Sequence, residues 1–184
     1  AQNMKLSYKL WTSTDEYPII YVYQETDNDK VWDGNIATEF AGGSGADTDP
    51  YLIENGAQLF KAVSELGKNT DGSAAYYLIT ADIYLNKDYN YYKYWETYAP
   101  ENNWLPERGD FIGHLDGDGH TIDGLYLTTS KSRVGLFSFT GNTNDNPASI
   151  EKIVMTNAFV STTGYGASVL IGQISSATSV SQVY

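Results

Sequence analysis

Short apolar runs separated by polar, glycine-bearing turns fill most of this chain, and helical spacing is confined to one stretch. Over 56–66, Leu59, Val63 and Leu66 fall on one face, Asn55 stands at the capping position with Gln58 three residues on, and Gly67 supplies a left-handed stop. One helix is therefore predicted there. Tyr76 to Leu85 alternates well enough for a strand. Lys5 to Tyr23 reads as two short strands, with Pro18 before the run Ile19 to Tyr23, and Gln24 to Lys30 reads as a turn or linker around Asp27-Asn28-Asp29. From Val31 the glycine density rises through Gly34 and Gly42-Gly43-Ser44-Gly45, marking a backbone drawn through tight turns.

A faint repeat runs through the second half. Thr121 to Tyr126, Ser149 to Val154 and Ser179 to Tyr184 share a hydroxyl residue, an apolar residue, two variable positions and a second apolar residue, at spacings of 28 and 30. Gly135-Leu136-Phe137-Ser138 and Val169-Leu170-Ile171-Gly172 form a second repeated segment, 34 residues apart. Two interleaved strand repeats at this period imply stacked units, none able to bury its apolar face alone. The segments are short and lack helical period, so the expected architecture is a β-solenoid.

Charge and composition narrow the function. Eleven basic residues against 23 acidic ones give a net charge of −12, which repels phosphate backbones and anionic headgroups. Neither nucleic-acid binding nor membrane insertion is expected, and no run of about 18 apolar residues is present. Cysteine is absent, so thiolate metal sites and disulfides cannot contribute. The 16 Tyr and 4 Trp among many Gly, Asn, Ser and Thr resemble extracellular β proteins, which places the expected location outside the cell or at its wall.

Several segments carry a family resemblance. Trp32-Asp33-Gly34, Phe40 to Gly45, Asp49-Pro50-Tyr51-Leu52-Ile53, Leu59, Tyr77 to Ile83 and Phe111 to Ile122 resemble, in that order, the opening of bacterial GLUG-motif surface proteins. Gly135-Leu136-Phe137 and Leu170-Ile171-Gly172 are similar to their eponymous repeats. The likeness spans roughly 32–184 and departs at Tyr84, at Ser138 and in an aromatic insertion at 86–104. It implies a secreted or wall-associated, adhesin-like protein with no settled catalytic residues. The expected fold class is thus all-β, a right-handed parallel β-helix with one short N-terminal capping helix. Residues 1–30 would be cap strands or the end of a preceding module. Residues 31–184 would be the first coils, continuing beyond Tyr184 or pairing there with another chain.

Candidate chemistry is sparse. Asp116-Gly-Asp118-Gly-His120 with Asp123 looks enzyme-like, yet Leu127 and Thr128 stand where an EF-hand needs a bidentate Glu, and Gly and Asp also build tight turns. The turn reading is preferred. Asn142 to Asn146 with Asp145 offers calcium ligands, though a solvated loop is the better reading, so no cofactor is expected and calcium has only weak support. Arg108 and Arg133 sit in no evident carboxylate array, and His114 and His120 accompany no Gly-x-Ser-x-Gly elbow. The strongest candidate is the insertion, where Tyr89, Tyr91, Tyr92, Tyr94, Trp95, Tyr98 and Trp104 could stack on sugar rings or anchor a protein partner. Covering the flank of the fold is the competing role for those rings. A non-catalytic adhesion or scaffold module is favoured over a polysaccharide-active lyase or hydrolase.

Overall fold

A computed structural model describes residues 30–86, 89–141, 147–175 and 178–184. The strands expected within 5–23, the turn at 24–30 up to residue 29, and the loop 142–146 lie outside the described residues.

The helix forms where its cap and spacing place it. Helix α1, Gly56–Ser64, is capped by the Asn55 side chain, which accepts from the Gln58 backbone N–H, while Gln58 in turn takes the N–H of Glu54. Leu59, Ala62 and Val63 are buried. The stop begins one residue early, for Leu66 already has a φ of +60° and Gly67 follows at +66°. Gly67 is irreplaceable on steric grounds as well, because a Cβ there would lie 2.4 Å from the backbone N of Gly113.

The strands are β1 Tyr51–Ile53, β2 Tyr76–Ile79, β3 Ile83–Tyr84, β4 Asp110–Phe111, β5 His114–Asp116, β6 Thr121–Asp123, β7 Tyr126–Thr129, β8 Phe137–Thr140, β9 Ala148–Thr156, β10 Phe159–Thr162, β11 Ile171–Ile174 and β12 Thr178–Val183. All their pairings are parallel. They form a seven-stranded sheet in the order β1-β2-β5-β9-β6-β3 with β12 also on β9, a three-stranded sheet β11-β8-β4, and the pair β10-β7.

This corrects the expected fold class. In place of an all-β, right-handed parallel β-helix, the described residues form a mixed arrangement: separate parallel sheets accompanied by a helix, with no closed solenoid. The physical reason lies in uneven steps between partners, from Tyr51 to Tyr77 at one extreme and from Ile83 to Ile122 at the other. The shortest step carries α1, and the longest takes in a 3-10 helix at Tyr89–Tyr94. A constant repeat is what a solenoid requires, and it is absent.

Two of the sequence repeats do pair in register. Ile150 lies beside Val180 and Ile153 beside Val183, and Phe137 lies beside Ile171. The third repeat is displaced. Thr121–Asp123 pairs with Val154–Thr156, whereas the partner of Ser149–Glu151 is His114–Asp116. Strand β9 bends at Lys152, φ +53°, so its two halves face different partners.

The core joins α1 to the inward residues of these strands: Ile53, Tyr77, Ile79, Leu115, Ile122, Phe137 and Ile150 are all nearly inaccessible. An aromatic file, Phe40, Tyr51, Tyr77, Phe111 and Phe137, passes through it with centroid steps of 4.5, 5.7, 6.3 and 4.6 Å. One polar pair is buried beside it. Asn86 donates to the carbonyls of Asn102 and Gly124 and accepts from the Asn102 N–H; the Asn102 amide donates to the carbonyls of Trp32 and Leu85. Every bond is to backbone, so the pair ties the end of the 86–104 connection to Trp32 and to the residues that follow β3 and β6.

Removing that amide should be costly. Asn102→Ala leaves two buried carbonyls short of a donor and should lower unfolding free energy by about 2–4 kcal/mol. Asn103→Ala, whose exposed side chain pairs with the Thr128 backbone, should cost less than about 1 kcal/mol. Urea midpoints for the two variants, at unchanged m, check the contrast.

Candidate functional site

The aromatic insertion has an inside and an outside. Its far end is fixed by Trp104, which is fully buried, donates from Nε1 to the Leu136 carbonyl at 3.0 Å and receives backbone support from Tyr126. Trp104, Trp32 and Phe60 form a triangle with centroids 5.0 to 5.2 Å apart. Trp95 is equally buried and meets Tyr126 edge to face, while Tyr126 stacks on Phe159. Both tryptophans therefore spend their rings on the core, which removes them from the set of contact residues expected from the sequence.

Between these anchors the chain coils tightly. The N–H groups of Thr97 and Tyr98 both reach the Tyr94 carbonyl, and that of Trp95 reaches Tyr92. Tyr94 and Tyr98 emerge from this turn 49% and 63% exposed, with Leu105 also exposed at 49%. Tyr92 is half-buried beneath the Lys93 ammonium, 6.0 Å from its ring centre. Tyr89 and Tyr91 belong to the 3-10 helix, and their side chains lie outside the described part. Of the seven expected rings, the structure leaves Tyr94 and Tyr98 exposed on one hydrogen-bonded turn and buries Trp95 and Trp104.

The acid-rich cluster is a corner. Opposite it, β9 spans the corner with Lys152 and Ile153; here Gly117 to His120 makes the same turn with two extra residues, Asp118 and Gly119 standing at φ +47° and +81°. Asp116 accepts the Asp118 N–H at 2.8 Å and pairs with the Lys152 ammonium at 2.6 Å. Asp82 accepts the Thr121 N–H and lies 3.4 Å from His120. These carboxylates hold the turn and do not converge on a common point.

Three further features escape a linear reading. His114 stacks on Tyr76 at 4.3 Å and shares a hydrogen bond with the Ser149 hydroxyl at 2.9 Å, and burial holds its pKa below the usual histidine value, opposed by Asp47. A groove of about 600 Å³ runs between the 38–43 segment and the end of α1, its Lys61 bound to Glu65 and lying over Phe40. Asp123 is buried; one oxygen takes bonds from Thr156 and, at 2.6 Å, Asn157, while the other has no partner. Burial raises its pKa despite those two donors. The guanidinium groups are spent elsewhere: Arg108 binds the Ser132 carbonyl and lies over Phe139, and Arg133 lies over Tyr165.

Comparison with known proteins adds one likeness. The chain is 31% identical over 106 residues to a protein of Evansella cellulosilytica described as a Gly-rich membrane protein; the match takes in 55% of this chain and 11% of that protein's length. No family model matches, and no solved structure does. Among the described residues, no helix is long and apolar enough to cross a membrane.

Asp123 provides a pH test. Its folded pKa lies above the unfolded value, so its contribution to stability is complete below the unfolded pKa and is lost as pH rises through the folded one. Asp123→Asn keeps an acceptor for Thr156 and Asn157 without the buried charge. At neutral pH it should be more stable than the parent, the gap closing as pH falls through the carboxyl range. Urea unfolding across that range checks this, and a less stable Asn variant at neutral pH would contradict it.

Proposed function

We propose that this chain is a non-catalytic extracellular module, acting as an adhesion or scaffold element that holds a glycan on the exposed rings of Tyr94 and Tyr98. The observation that carries the reading is the division of labour within one short segment: Trp95 and Trp104 are locked in the core while Tyr94 and Tyr98 stand out from a hydrogen-bonded turn. A rigid tyrosine presents a large apolar face and a polar tip at little entropic cost, which suits the alternating apolar and hydroxyl faces of sugar rings.

A polysaccharide-active enzyme asks for more than exposed rings. A lyase needs a basic side chain beside clustered carboxylates, and a hydrolase needs two opposed acids across the scissile bond. The Arg108 and Arg133 guanidinium groups lie on aromatic rings, and the Asp82 and Asp116 carboxylates are engaged in holding a turn. These features favour binding over turnover.

On a glycan array the chain should retain one or more oligosaccharides. Tyr94→Ala and Tyr98→Ala should each weaken retention about tenfold, the loss of one stacked ring, Tyr98→Ala with little change in melting temperature. Trp95→Ala should instead lower the melting temperature, since it empties a core position. Unsaturated products released from polyuronides, with or without calcium, would overturn the reading, as would retention indifferent to both tyrosines.

A further inference from the structure

Both arginines of this chain gather at one ring. Phe139 stands half-buried in the row Asp110, Phe139, Gln173 of the three-stranded sheet, between two polar residues. The guanidinium carbon of Arg108 lies 5.5 Å from the centre of that ring and the guanidinium carbon of Arg133 lies 6.0 Å from it. Arg133 is also 4.9 Å from the centre of the exposed Tyr165 ring. The sequence contains no other arginine.

The backbone holds this arrangement in place. Arg108 donates from Nη2 to the Ser132 carbonyl at 2.5 Å, and the Ser132 hydroxyl accepts the Tyr165 N–H at 3.1 Å. Arg133 follows in the left-handed region at φ +58°, its own N–H reaching the Tyr165 carbonyl at 2.6 Å. Gly172 lets β11 pass against that corner, since a Cβ there would fall 2.3 Å from the Arg133 carbonyl carbon. Two adjacent residues, Ser132 and Arg133, thus tie both cations and the tyrosine to one place.

The charges gathered here are not neutralised from within. Among the described residues, every ion pair is made by a lysine or by His120, and neither guanidinium has a carboxylate partner. The Arg108 Nε–H is shut off from water without an acceptor among them. Residues 153–175, which supply β10, β11 and the Tyr165 segment, contain no Asp or Glu. One acid stands in the row, Asp110, and one of its oxygens takes the Ser175 hydroxyl at 3.1 Å. Two fixed positive charges against this one negative charge leave a local excess that the net charge of −12 conceals.

An aromatic ring holds a guanidinium through its face and leaves the N–H edge for a planar acceptor. The best match to that edge is a carboxylate, whose two oxygens take the fork together. The rings alongside suit the C–H face of a sugar, which inorganic anions lack. We infer that Arg108, Arg133, Phe139 and Tyr165 form a subsite for an acidic sugar, a uronic acid unit whose carboxylate meets the guanidinium groups and whose ring lies on the adjoining aromatic faces. This rests on the glycan-binding reading and adds a charge requirement to it. Neutral sugars remain with Tyr94 and Tyr98.

Isothermal titration of the intact chain, in calcium-free buffer at neutral pH, tests this with a short galacturonate oligomer, its methyl ester and a neutral glycan retained on the array. The acidic oligomer should bind, and its methyl ester should bind at least about tenfold more weakly. Arg133→Gln should weaken uronate binding about tenfold, and Arg133→Lys should recover only part of the loss, because an ammonium lacks the planar fork. Asp110→Asn, which removes the opposing charge and keeps an acceptor for Ser175, should tighten it about threefold. Tyr98→Ala should leave uronate binding unchanged while weakening that of the neutral glycan. Circular dichroism establishes that each variant is folded. Neutral glycans held through Tyr98 with no uronate bound would overturn this inference and leave the proposed function standing, whereas a chain that binds neither would overturn both. Uronate binding unmoved by Arg133→Gln, or matched by inorganic sulfate or a glutamate peptide, would also overturn the assignment.

Discussion

A one-residue slip along the sheet would turn Tyr77, Leu115 and Ile150 out to solvent and carry Leu78, Asp116 and Glu151 into the core. Everything else in the molecule depends on this register. It sets Leu115 and Ile150 in the same core as the buried face of α1, aligns the aromatic file through Tyr77 and Phe111, and places the 117–120 corner against Lys152. Parallel pairing of strands this short gives few hydrogen bonds apiece, so register is enforced mainly by which side chains the core accepts. The cost of burying Asp116 and Glu151 makes the alternative register untenable.

The same constraint explains why polar residues appear where they do. Long connections leave the sheets at Leu85 and return at Trp104, and their backbone groups must find partners inside the fold. Asn86 and Asn102 supply those partners at the two mouths of the connection. The insertion is thus closed at its base by amides and pinned by Trp95 and Trp104, which allows Tyr94 and Tyr98 to be exposed without being loose.

Parts of this were legible from residue order. The Asn55 cap and the spacing of Leu59 and Val63 locate α1, and the pairs 149 with 179 and 137 with 171 locate two sets of neighbouring strands. The overall architecture was not legible, because a local repeat does not reveal the steps that the intervening segments impose. Thr121–Asp123 was matched to the wrong half of β9 for a related reason: its hydroxyl-apolar pattern resembles Ser149-Ile150, while its real partner begins at Val154 and that of Ser149 is His114. Trp95 and Trp104 resemble their neighbours in composition; only packing against Tyr126 and Trp32 separates anchors from exposed rings. The unpartnered oxygen of Asp123 gives no signal in the sequence.

The central claim is that a core-anchored turn presents tyrosine rings to a glycan. Its most direct test is to follow backbone amide resonances while titrating oligosaccharides of cell-wall type. The account predicts fast-exchange shifts concentrated at 92–98 and around Leu105, with Trp95 and Trp104 indole signals remaining in their buried environments. Shifts centred instead on His114, Ser149 and Asp116, or on the groove beside Lys61, would contradict it.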